Sequence, residues 1–207
     1  MGSFESHTIV IATRNGGKLR EFRNLLSPLG SRILSLTEIS LDVELEESGK
    51  TFAENSRLKA IGYSRLIQFP VLADDSGLEV TALGGRPGIH SARYAGPGAS
   101  DSDRIQKLLE ELEKTGGARD ARFVCALALA QEGVLLLESE GTCQGVLAMA
   151  PRGTNGFGYD PIFLFPALGR TYAELGESEK NQYSHRARAV SSLLRQMQPA
   201  PMVNRKS

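Results

Sequence analysis

A β-branched run, Thr8-Ile9-Val10-Ile11-Ala12-Thr13, predicts a buried strand. It breaks into Arg14-Asn15-Gly16-Gly17. Leu19, Phe22, Leu25, Leu26 and Leu29 then recur at helical spacing, and Pro28-Leu29-Gly30 ends that helix. Residues 32–36 predict a second strand, and the acidic stretch 43–48 fits either a strand edge or a loop. Thr51-Phe52-Ala53-Glu54 has the form of a capping box. A helix is predicted from there to about Ile67, with Phe52, Leu58, Ile61 and Leu66 inward and Phe69-Pro70 as its stop. Val71-Leu72-Ala73-Asp74 reads as a short strand that gives way to Asp75-Ser76-Gly77. Residues 83–99 are rich in Gly and Pro and predict a long loop. Ser100 caps a helix to about Lys114, with Ile105, Leu108, Leu109 and Leu112 on one face. Residues 123–131 and 134–140, divided by Glu132-Gly133, predict a β-hairpin, and 143–150 fits one more strand. Residues 153–161 form a second glycine-rich loop, and Ser184 caps a last helix ending near Met197. The polar tail, 199–207, is expected to fray. Strand–helix alternation followed by a hairpin predicts an α/β class with a mixed sheet.

The 207 residues suit one domain, or one domain of two lobes, large enough to fold without a disulfide or metal. Lys+Arg and Asp+Glu number 24 each, for a formal net charge of zero. That excludes a general nucleic-acid coat, and it requires any anionic ligand to be met by a local cluster of positive groups. Apolar runs such as 124–130 are far too short to cross a bilayer. The first ten residues lack the regions of a signal peptide. Cys125 and Cys143, with no CxxC pattern, read as buried free thiols. These observations predict a cytoplasmic protein.

Five constellations can carry chemistry. Thr13-Arg14-Asn15-Gly16-Gly17-Lys18 joins a strand to a helix through glycines, which points backbone N–H groups and the helix dipole at one spot suited to phosphate. Lys18 adds a point charge. The motif is not a Walker A loop, because Ala12 and Leu19 stand where Gly and Ser/Thr would be needed. Asp74-Asp75 follows a strand. In an extended segment neighbours face opposite sides, so one carboxylate can face a cleft to hold Mg²⁺ or act as general base. Glu46-Glu47 precedes the capped helix and reads equally as a second metal ligand or as a solvated face. Asn55 and Lys59 share one face of that helix. In 153–161 aromatic residues lie between glycines, as a stacking platform for a base requires, or as a tight loop anchored by two core rings. Lys180, His185 and Arg186 place donors near the start of the last helix, where they suit a carbonyl or phosphate oxygen. Residues 84–88 fit a hinge, and Ser91-Ala92-Arg93-Tyr94 fits core or interface equally.

Taken in order, TRNGGK (13–18), TFAEN (51–55), ADDSGL (73–78), LGGRPGIHSARYAG (83–96), GTNGFGYDPIF (153–163) and SHRARA (184–189) resemble the inosine triphosphate pyrophosphatases, also described as dITP/XTP pyrophosphatases. The resemblance runs from about Ile9 to Leu194. It implies a long mixed sheet flanked by helices, two lobes with a central cleft, and a homodimer. The implied reaction is Mg²⁺-dependent hydrolysis of ITP, dITP and XTP to the monophosphate and pyrophosphate. By the same resemblance Thr13, Arg14, Asn15, Gly16, Gly17 and Lys18 hold the triphosphate with help from Lys59. Glu47 and Asp75 bind metal, and Asp75 is the general base. Ser76 contacts substrate, Phe157, Gly158, Tyr159 and Asp160 hold base and sugar, and Lys180, His185 and Arg186 read the purine. A Maf-type pyrophosphatase and a non-catalytic nucleotide-binding module are the competing classes. The complete motif set argues against the first, and Asp74, Asp75 and Glu47 beside Lys18 against the second.

Overall fold

β1 (Thr8–Ala12) runs parallel to both its neighbours, β2 (Arg32–Ser35) and β3 (Val71–Val80). The computed structural model describes residues 8–198. From β3 the sheet turns antiparallel through β4 (Asp120–Gln131), β5 (Val134–Leu147), β6 (Phe163–Phe165) and β7 (Arg170–Thr171), giving the order β2-β1-β3-β4-β5-β6-β7. The expected α/β fold with a mixed sheet is the one observed.

The helices divide between the faces, and the alternation of side chains along the strands decides which goes where. Ile9, Ile11, Leu72, Cys125, Leu127 and Leu129 face α1 (Gly16–Leu26) and α5 (His185–Met197) through Phe22, Leu26, Val190 and Leu193. Val10, Ala12, Val71, Ala73, Ala128 and Ala130 face α2 (Phe52–Ser64) through Ala60 and Tyr63. Small residues there let α2 lie close to the sheet. α3 (Asp101–Thr115) packs Ile105, Leu108 and Leu112 on Leu78, Val80 and Phe123, farther along the α1/α5 face. The short polar α4 (Glu177–Tyr183) leads into α5.

Several expectations change. Asp74-Asp75-Ser76-Gly77 does not leave the strand. β3 continues to Val80 because β4 pairs with it residue by residue, from Val71↔Ala130 to Val80↔Ala121. The strands expected at 134–140 and 143–150 are one strand, β5, ending at Leu147. α2 stops at Ser64, and Leu58 and Leu66 are exposed rather than inward. Its inner face carries Phe52, as expected, together with Asn55, Ser56, Ala60 and Tyr63. Residues 43–48 form a loop. The 83–99 segment contains a 3₁₀ turn, Gly88–Arg93, seated on β3: Ser91 Oγ accepts from Leu78 N at 2.9 Å and donates to the Gly88 carbonyl at 2.6 Å. Gly77 makes room for that turn, since a Cβ there would lie 2.4 Å from Ser91 Oγ. The tail expected to fray lies outside the described residues.

β1 stops at Ala12, opposite Ala73. Among the described residues, the outer edge of β3 has no strand beside it from Asp74 onward until the bridge Glu79↔Pro87. That gap is where the candidate residues gather.

Candidate active site

The loop leaving β1 turns into α1 beside this gap. Asn15 is the N-cap, and its side chain accepts from Lys18 N at 2.9 Å while Thr13 Oγ1 accepts from Asn15 N at 3.2 Å. Gly16 and Gly17 form the first turn. No acidic residue lies in that turn, so the helix dipole there is left for an outside anion. Arg14 points elsewhere, to Asp42 at 3.0 Å and the Val43 carbonyl.

Lys18 reaches the α1/α5 face of β3, with Nζ 2.5 Å from Asp74 Oδ2. Asp74 Oδ2 also accepts from Ser76 Oγ, and Oδ1 lies 3.1 Å from Cys125 Sγ and 3.9 Å from Arg186 Nε. Burial alone would push this carboxyl up. The Lys18 ammonium and Arg186 guanidinium outweigh it and hold Asp74 well below the usual carboxylate range.

Asp75 points to the opposite face, under α2. Asn55 Nδ2 donates to its Oδ2 at 3.0 Å, and Lys59 Nζ lies 3.9 Å from Oδ1. Lys59 also meets Glu47 Oε1 at 2.7 Å and donates to the Asp74 carbonyl at 2.8 Å, on the open edge of the strand. Burial raises Asp75 to about 6, against the pull of Lys59 and Asn55. The pair of acids thus divides into one locked as a charge and one poised to exchange a proton near neutrality.

On the α1/α5 face a cleft with about 590 Å³ of empty space, part of it open to solvent, is lined by Lys18, Ser76, Phe157, Lys180, His185 and Arg186, among others. Phe157 lies against the phosphate loop: a Cβ on Gly17 would sit 2.5 Å from its ring. Lys180 Nζ stands 4.9 Å over that ring and pairs with Asp160 at 2.5 Å and Glu21 at 2.8 Å. Arg186 is fully buried, pairs with Glu21 and donates to Ser76 Oγ at 3.0 Å. His185 stacks on Phe123, with centroids 4.6 Å apart and planes 12° apart. Burial, reinforced by Arg186 and Lys180, pushes His185 well below its ordinary range and keeps it neutral. Its Nδ1 and the Nε of Arg186 are buried with no hydrogen-bond partner among the described residues. Tyr159 is buried and donates its hydroxyl to the Ser91 carbonyl.

The structure therefore gathers Lys18, Ser76, Phe157, Gly158, Tyr159, Asp160, Lys180, His185 and Arg186 on one face. Lys59, Asp75 and Glu47 sit on the other, joined across the open edge of β3. Reading the sequence missed Glu21, Phe123, Asp101 and Arg104. Glu21 left one trace, an acid beside Phe22 on the inner stripe of a helix.

A model of the Ham1 family matches residues 9–196. The chain belongs to the Ham1 family. A dITP/XTP pyrophosphatase of Geobacillus kaustophilus is 53% identical over 186 residues, covering 89% of this chain and 91% of that protein. Among solved structures, a HAM1 protein from Coxiella burnetii matches this Ham1-family chain with a TM-score of 0.81 at 45% identity, over 90% of this chain and 95% of that one. The Ham1 protein of Staphylococcus aureus matches with a TM-score of 0.81 at 42% identity, over 92% and 97%.

Proposed function

We infer that this chain hydrolyses non-standard purine nucleoside triphosphates, ITP, dITP and XTP, to the monophosphate and pyrophosphate, and so clears deaminated purines from the nucleotide pool. The observation that carries the reading is the open edge of β3. It lets one ligand lie in the Lys180–Arg186 cleft while its phosphates reach Lys18, Lys59 and Asp75 on both faces. Relatives bearing the name dITP/XTP pyrophosphatase support the substrate class.

The chemistry follows from the groups present. The first turn of α1 and Lys18 bind and orient phosphate oxygens and stabilise charge that develops on them. Asp75 accepts the proton of an attacking water. The water oxygen bonds to phosphorus as the α–β phosphoanhydride breaks, and pyrophosphate leaves. Glu47 and Asp75 converge on the single ammonium of Lys59, a carboxylate pair whose chemistry suits Mg²⁺ shared with phosphate oxygens. Mg²⁺ bound by these two residues would neutralise phosphate charge and orient the chain. Lys180 has three donors, and Glu21 and Asp160 take two. The third, with Arg186, suits the 6-oxo acceptor of hypoxanthine or xanthine and leaves the 6-amino group of adenine without a partner. A homodimer in the cytoplasm belongs to the same reading, on the resemblance alone. No helix among the described residues is long and apolar enough to cross a membrane.

The test is pyrophosphate release from ITP, XTP, ATP and GTP, with Mg²⁺ and then with EDTA. Fast Mg²⁺-dependent release from ITP and XTP, with ATP and GTP slow, is expected. Release of orthophosphate would mean cleavage at the γ position. ITP binding without turnover would make the protein a binding module.

A further inference from the structure

We propose that Asp101 and Arg104 clamp the loop 153–161 and act as positioning residues for the purine end of the substrate. This rests on the hydrolysis inferred above. Both residues lie at the start of α3 and line the cleft. Capping of α3 is done by others: Ser100 accepts from Asp103 N, and Asp103 reaches back to Ser100 N. Asp101 is thereby released from that duty. Its Oδ2 accepts from Gly158 N at 2.6 Å, and its Oδ1 pairs with Arg104 Nη2. Arg104 Nη1 donates to the carbonyls of Ala92 and Ala99, each at 2.8 Å. The next residue of the loop, Tyr159, is tied to the same 83–99 segment through the Ser91 carbonyl at 3.0 Å. Three stretches of chain distant in sequence thus meet at one rim of the cleft, with Gly158 at φ +61° turning its N–H into the clamp.

Magnitude separates position from stability here. The Asp101 side chain is 44% exposed, and ion pairs that open to water contribute little to folding. Yet both carboxylate oxygens are committed, one to a backbone N–H beside Phe157, whose ring covers Gly17. Releasing Gly158 would loosen the platform under the base and leave the phosphate loop untouched.

The experiment compares wild type, Asp101→Ala and Asp101→Asn. For Asp101→Ala, KM for ITP should rise about tenfold, the order expected when a substrate platform shifts by a fraction of an ångström. Its kcat should stay within about twofold, and inhibition by tripolyphosphate, which has no base, should not change. Asp101→Asn keeps an acceptor for Gly158 and should fall between. Amide exchange at Gly158, measured without substrate, should accelerate in Asp101→Ala. An unchanged KM, an unchanged Gly158 exchange rate, or tripolyphosphate inhibition that weakens in step with KM would each overturn the clamp. Should Asp101→Ala fail to fold, Arg104→Met carries the same readouts, because it removes every donor that holds Asp101 to the two carbonyls. Absence of ITP turnover in the wild type would remove the inferred hydrolysis, and the exchange measurement would still decide the clamp.

Discussion

Asp74 and Asp75 are consecutive residues that point to opposite faces of β3, one to Lys18 and Arg186, the other to Asn55 and Lys59. Their neutral isosteres should therefore behave differently. Asp75→Asn removes the proton acceptor, and kcat should fall by about 10²–10⁴ while the protein stays folded. Asp74→Asn leaves Lys18 and Arg186 facing a neutral group at a buried site, and should cost about 3–5 kcal/mol of stability. Urea unfolding and ITP turnover on both variants check this. Near-normal turnover in folded Asp75→Asn would end its role as base.

The Asp75 carboxyl, raised to about 6 in the metal-free protein, also sets a pH trend in stability. The ordinary value is 3.8, so between there and about 6 the folded protein holds a proton that the unfolded chain has released. This group's contribution to stability is present below 3.8 and is lost as pH rises through about 6. In EDTA, Asp75→Asn should therefore gain on wild type by up to about 3 kcal/mol between about pH 4 and 7. A gap between the two that does not vary with pH would contradict the raised value.

Gly17→Ala should damage function without damaging the fold. Its Cβ would fall 2.5 Å from Phe157 Cδ1 and 2.8 Å from Cε1, so the ring must swing away. In the helix itself, Ala is favoured over Gly by about 0.5–1 kcal/mol. We expect an unchanged or raised melting temperature with kcat/KM for ITP lowered by about tenfold. Unaltered kinetics would mean that the position of Phe157 is immaterial.

Lys180→Ala should narrow the preference for ITP over ATP. Losing the donor that meets a 6-oxo group removes the penalty borne by a 6-amino group, and the ratio of kcat/KM values should drop at least about tenfold. Lys180→Met, which keeps a stem of similar length and carries no donor, serves if the alanine variant is unstable. A preserved ratio would place discrimination elsewhere, with His185 and Arg186 the next residues to test.

The sequence made some of this legible and concealed the rest for definite reasons. β1, β4 and the helix starts at Thr51, Ser100 and Ser184 follow from local signals: apolar runs and side chains that cap the next turn. Asp74-Asp75-Ser76-Gly77 has turn composition, and only its neighbour β4 keeps it extended. Leu66 lies beyond the end of α2, and Leu58 sits on its outer side because the inner side is occupied by Asn55, which serves Asp75, and by residues small enough to let the helix approach. The polar heptapeptide of α4 buries Lys180 alone, so no periodicity marked it. Within the site, the glycine loops and donors stood out as motifs. Glu21 and Asp101 did not, since each matters through a partner far along the chain.

Glu21 and Arg186 are separated by 165 positions, and that distance orders events during synthesis. The N-terminal part of a nascent chain leaves the ribosome first. α1 can form early, but the carboxylate of Glu21 then has neither Arg186 nor Lys180 to neutralise it, and Asp74 lacks one of its two cations. The last two helices to emerge, α4 with Lys180 and α5 with Arg186, thus supply the charges that allow the first to seat. A polypeptide released before residue 180 would carry the phosphate loop and both acids, yet lack Lys180, His185 and Arg186 to read the base.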